Sequence, residues 1–172
     1  MLTPPLSSKM EGFSFAKMKV IGSNICYKKG SIVPLTNELL NEIIETSSLD
    51  NFFATNHLNM YSLKDYLDIL IEDRGLKSSD VIKESGINYT YGYEIFTGRK
   101  TSPSRDLILM LALTIKCNLD EVNRLLKISN NSELYSKCKR DVILIYAILH
   151  CLSIVETNVE LHRFGQDLLG DA

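Results

Sequence analysis

The sequence predicts an all-α protein. Gly and Pro are scarce, 9 and 4 of 172 residues, against abundant Leu and Ile, a balance that favours helices. From Thr36 onward apolar residues recur three and four apart, the spacing of a helix with one buried face. Ser, Asn and Gly fall at the ends of these runs, where helices start and stop.

The elements follow in order. Leu39, Leu40, Ile43 and Ile44 form one face, with Thr36 as the expected N-cap. Ser48 is placed to cap a short helix carrying Leu49, Phe52 and Phe53. Ser62 precedes an amphipathic run of Leu63, Tyr66, Leu67, Leu70 and Ile71, and Asp65 three residues on resembles a capping box. Gly75 ends that helix. A short helix at 78–84 turns Val81 and Ile82 inward and closes at Gly86. Asn88 caps a helix near 89–97, ended by Gly98. Tyr89–Phe96 alternates in polarity and reads as a strand on pattern alone, but a single strand has no partner in a helical chain. Ser102-Pro103-Ser104 opens a helix over 104–116, and Leu119–Leu126 forms the next. After Asn130-Asn131 the pattern gives a brief turn of helix, then helices near 139–151 and 154–164.

An internal echo runs through the second half. Arg105–Ala112 lines up with Arg140–Ala147 at an offset of 35, and eight of 26 aligned positions are identical, including Glu121/Glu156, Asn123/Asn158 and Leu126/Leu161. Two helical hairpins of one kind, lying side by side, account for it. Two copies are fewer than a solenoid needs.

Charge divides the chain into four. Residues 1–34 carry five lysines against Glu11 and read as a basic, flexible tail, with Met10 and Met18 as alternative starts. Residues 35–60 hold two helices with four acids and no base. Residues 61–130 hold ten charges of each sign, and 131–172 form a C-terminal hairpin with a balance of −2. The hairpin either completes the bundle or forms a dimer surface, because Val142–Leu149 is apolar nearly all round and such a helix demands burial.

Several classes are excluded. The net charge of −2 leaves no strongly basic coat. Pro4 and Pro5 interrupt any secretory leader. The longest apolar-looking run, Val142–Val155, has 14 residues, short of the roughly 20 that cross a membrane. Cys26, Cys117, Cys138 and Cys151 form no CxxC pair, so a cytoplasmic chain with reduced thiols is expected. His57, His150 and His162 lack metal-ligand spacing, and no phosphate-cradling Gly-rich motif occurs. Asp65, Asp68, Glu72 and Asp73 read as a solvated helix face rather than catalytic carboxylates. The expectation is a non-enzyme without cofactor or metal.

The informative stretch is Leu76–Asn88. A short helix, Gly86 at a sharp reversal, Ile87 as apolar lock and Asn88 as cap make the shape of a helix-turn-helix. With the following Gly98-Arg99-Lys100, Pro103-Ser104 and Leu119-Asp120-Glu121-Val122, residues 63–129 resemble the phage-repressor-like helix-turn-helix regulators, also called the xenobiotic-response-element family. The resemblance implies a five-helix domain that binds double-stranded DNA, with the second motif helix in the major groove. It implies that Tyr89, Thr90, Tyr93 and Thr97 face the bases. Ser78 and Ser79 would reach phosphates, and Arg99 and Lys100 would neutralise backbone charge. Such proteins often bind as homodimers. The expected function is a transcriptional regulator. The competing expectation is a helical module that binds a protein partner on the same face, favoured by the balanced charge, Gly92 and Glu94.

Overall fold

Local signals set the helix boundaries. The computed structural model describes residues 36–56 and 61–170; the basic tail, Cys26 and His57 lie outside them. Among the described residues the chain forms helices α1 (Thr36–Glu45), α2 (Leu49–Thr55), α3 (Leu63–Asp73), α4 (Ser78–Ser85), α5 (Tyr89–Phe96), α6 (Arg105–Ile115), α7 (Leu119–Ile128), α8 (Lys139–Leu149) and α9 (Ile154–Arg163), with no strand. The protein is all-α. The Ser62 hydroxyl accepts the Asp65 N–H at 3.2 Å and donates to the Asp65 carboxylate at 2.6 Å. Gly75, at φ 62°, ends α3. Ser48 and Ser104 hold N-cap positions without a side-chain bond.

α3 packs on α5 and α7, and α4 on α5 and α6. One buried cluster runs from Leu63 to Leu169, so residues 61–130 share their core with the C-terminal hairpin. Leu67, Ile95, Leu111, Leu125, Leu144 and Leu161 are fully buried in or against it, each burial contributing about 1.5–3 kcal/mol. Among the described residues, none of α1 or α2 belongs to that cluster; those two helices pack on each other, with Phe52 buried.

The two hairpins of the echo do lie against each other, and they meet by exchange. Arg105 forks onto Asp141 at 2.9 and 3.0 Å, and Arg140 forks onto Asp106 at 2.9 Å twice. α6 touches α9 and α7 touches α8. A simple translation would bring one pair together without returning the other. Reciprocal exchange is the mark of a two-fold axis, here internal to one chain. The detail repeats across it. Arg105 Nε donates to the Ser132 carbonyl, and Arg140 Nε to that of Asp167. Asn123 accepts the Leu134 N–H, and Asn158 that of Leu169. Lys116 and Cys151 both take left-handed φ, as do Asn130 and Gly165. Asn118–Glu121 and Ser153–Glu156 are both capping boxes.

Two expectations are corrected. Residues 131–135 have no regular structure and only a turn follows at 136–138, because Asn123 and Asp141 hold the Leu134 and Tyr135 N–H groups instead of a helix. The apolar run from Val142 does not make one buried helix. α8 stops at Leu149, Cys151 turns to φ 52°, and Val142, Tyr146 and Leu149 stay exposed. Among the described residues no helix is long and apolar enough to cross a membrane.

Cysteine reactivity follows from burial. Cys117 is fully enclosed, and loss of solvent pushes its thiol far above the ordinary value; Cys138 is exposed. A thiol reagent at mildly alkaline pH is expected to modify Cys138 in the native protein and to reach Cys117 only in denaturant, since the thiolate is the reactive form. Peptide mass spectrometry reads the order. Native labelling of Cys117 as fast as Cys138 would contradict the packing.

Candidate nucleic-acid interface

α4 and α5 form a bent pair because of three residues. Gly86 takes φ 72°, which a side chain would strain. Ile87 is buried beneath the turn. The Asn88 carboxamide oxygen then accepts the Thr90 and Tyr91 N–H groups at 3.0 and 3.3 Å, starting α5. That cap commits 89–96 to a helix, so the strand alternative does not hold.

α5 has two faces. Gly92, Ile95 and Phe96 are buried. Gly92 explains itself: a Cβ there would lie 2.7 and 2.9 Å from two carbons of Ile82. An aliphatic side chain at this position would force α4 and α5 apart. The opposite face carries Tyr89, Thr90 and Tyr93, all exposed. Tyr89 and Tyr93 are one turn apart and share a stripe. Tyr91 is half-buried against the core.

Thr97 is the C-cap rather than the last helical residue. It is exposed, but its hydroxyl donates back to the Tyr93 and Glu94 carbonyls at 2.8 and 3.3 Å. It presents a methyl group and lone pairs rather than a donor. The chain then wraps over the helix end. Gly98 takes φ 79°, and the Arg99 and Lys100 N–H groups both donate to the Glu94 carbonyl at 2.9 and 3.0 Å. This holds both cations, exposed, against the end of α5. The Lys100 ammonium lies 5.4 Å from the Tyr91 ring centre, close enough for attraction to the ring face.

Ser78 and Ser79 open α4. Ser78 is half-buried and Ser79 exposed. Ser79 donates to the Asp80 carboxylate at 3.3 Å, so an acid competes for that hydroxyl. Lys77, in the N-cap position, gives no side-chain cap, which leaves the first N–H groups of α4 suited to an anion. Ser78 opens α4 and Arg99 follows the end of α5, so both stand away from the turn, across helices of about 12 Å each. Sequence reasoning passed over Lys77 and Lys83, both exposed; the signal was their place on the same motif. With them, residues 76–100 carry Lys77, Lys83, Arg99 and Lys100 against Asp80, Glu84 and Glu94. Among the described residues no group of three His, Cys, Asp or Glu is placed to hold a metal. Compared with family models, curated proteins and solved structures, the chain has no match.

Proposed function

We propose that the protein is a cytoplasmic, non-enzymatic transcriptional regulator that binds double-stranded DNA through α4 and α5, as a homodimer. One observation carries this reading. A capped helix-turn-helix leaves the outer stripe of its second helix exposed and polar, and follows it with two cations fastened to the helix end. Tyr89, Thr90 and Tyr93 are then the groove-facing residues. Arg99 and Lys100 meet phosphates. Tyr and Thr lack the bidentate contacts of Arg, Asn or Gln, so sequence preference leans on DNA shape. Two copies would present two recognition helices about 34–36 Å apart.

The second reading is a protein-interaction module. The exposed rings of Tyr89 and Tyr93 beside Glu94 favour it, because charge is otherwise close to balanced over the motif.

Salt-dependent binding to duplex DNA from around its own gene tests the choice. Each phosphate contact contributes about 0.9 to the log–log salt slope, so Arg99→Ala/Lys100→Ala is expected to make the slope shallower by up to about 2. Tyr93→Ala is expected to weaken some sequences more than others. Absence of binding to any duplex at about 50 mM salt, where phosphate contacts are strong, would sink the DNA reading and leave the protein partner.

A further inference from the structure

Lys100 follows the end of α5, yet its ammonium does not stay there. The Lys100 N–H donates to the Glu94 carbonyl at 3.0 Å, which fixes where the backbone leaves the helix. The side chain then runs back, and Nζ lies 5.4 Å from the ring centre of Tyr91. Tyr91 is the third residue of α5, in the first turn, where the Asn88 carboxamide oxygen accepts its N–H. In a helix-turn-helix the start of the second helix is the end that meets the bases.

The ring is fixed and the lysine is not. Tyr91 is half-buried and packs against the core cluster, whereas Lys100 is exposed. Among the described residues no carboxylate, that of Glu94 included, stands within ion-pair distance of Lys100, while Lys64 is held by Asp68 at 2.6 Å. The difference matters for a cation that is to meet an anion. A carboxylate partner cancels the charge that a phosphate needs. A ring attracts the ammonium through its quadrupole and leaves the unit charge and the outward N–H donors in place. It also removes in advance part of the rotamer freedom that a lysine stem loses on binding, the general advantage of preorganisation.

We infer that Tyr91 is a positioning residue for DNA binding: its ring holds the Lys100 ammonium beside the first turn of α5, where it meets a phosphate at the edge of the groove. The inference rests on the DNA reading above and adds to it a residue that acts through Lys100.

A double-mutant cycle on duplex binding by the full chain, at low salt and with DNA from around its own gene, tests the role. Tyr91→Leu keeps an apolar side chain on the core and removes the ring; Tyr91→Phe keeps the ring. Unchanged circular dichroism and Tm will show that both fold. Tyr91→Leu is expected to weaken binding about two- to fivefold, the fold-change of one exposed cation–ring contact. In a Lys100→Ala background the same change is expected to cost nothing further, and Tyr91→Phe is expected to bind like the wild type. A loss of equal size in both backgrounds would mean that Tyr91 only packs α5, and overturns the proposal. So does a Tyr91→Phe chain as weak as Tyr91→Leu. A second readout needs neither DNA nor a variant that folds. In the wild type the NMR signals of the Lys100 ε-methylene protons are expected upfield, shifted by the ring, and unshifted signals overturn the proposal. Shifted signals in a chain that binds no duplex overturn the DNA reading and, with it, the role given to this contact; equal losses in a chain that does bind remove this inference alone.

Discussion

Asp141→Ala is expected to lower stability by about 3–5 kcal/mol, the loss seen when one partner of a buried ion pair is removed. Asp141 is only 5% exposed. It takes both arms of Arg105 and the Tyr135 N–H at 2.9 Å. Without it, a partly buried guanidinium and a backbone donor lose their acceptor together. Arg105 keeps its bond to the Ser132 carbonyl, which limits the loss. The reciprocal pair provides an internal control. The Asp106 side chain is 30% exposed against 7% for Asp141, so water can replace more of what Asp106→Ala removes. A smaller loss of about 1–3 kcal/mol is expected there. Replacing both members, as Arg105→Met/Asp141→Leu, is expected to recover the part of the loss that comes from the unpaired guanidinium, because apolar groups of similar volume often substitute for a buried pair, but not the part from the Tyr135 N–H, which stays without its acceptor. Urea unfolding measures all three. Equal losses for the two aspartates would mean that the two halves of the axis are energetically alike, against their unequal burial.

Gly92 gives the second large effect. Two terms oppose each other in Gly92→Ala. The helix gains about 1 kcal/mol from the better helix former. The new methyl meets Ile82 at 2.7 and 2.9 Å, and overpacking of this kind costs about 1–3 kcal/mol. Ile82 is β-branched, 2% exposed and stiff in a helix, so the clash is expected to win. Gly92→Val is expected to lose about 3 kcal/mol. Adding Ile82→Ala to Gly92→Ala is expected to cost less than the two changes summed, with a coupling of about 1 kcal/mol for neighbours in contact. Duplex binding is expected to weaken with Gly92→Ala as well, since α5 must shift away from α4. A Gly92→Ala chain more stable than wild type would falsify the close approach.

The sequence made some of this legible and hid the rest. Ser62, Asn88, Gly75, Gly86 and Gly98 act within a few residues of themselves, so helix ends could be read from them. The echo at 105 and 140 was visible as similarity, but similarity does not say how two copies meet. Only the crossing of Arg105 to Asp141 and Arg140 to Asp106 reveals a rotation rather than a stack. Gly92 counted in the sequence only toward the protein-partner reading; its packing reason needs Ile82 placed beside it. Val142–Leu149 shows a different limit. Periodicity marks a surface as apolar, but it does not say whether the covering layer belongs to the same molecule. At the interface, the exposed positions Tyr89, Thr90 and Tyr93 were readable from helical spacing. The inward turn of the Thr97 hydroxyl and the bond from the Ser79 hydroxyl to the Asp80 carboxylate were not, because short polar side chains choose among local partners.

An internal axis also changes what dilution and mutation can do. A symmetric dimer built on these contacts would come apart as its concentration fell. Here both hairpins lie on one chain, so the second meets the first at a fixed effective concentration, whatever the amount of protein. In such a dimer every substitution strikes twice. In this chain it strikes once, and the two halves are free to differ. Leu111 can serve the interior while its counterpart Tyr146 stands at the surface. One helical hairpin used twice can thus turn a face to the core in one half and to the surface in the other.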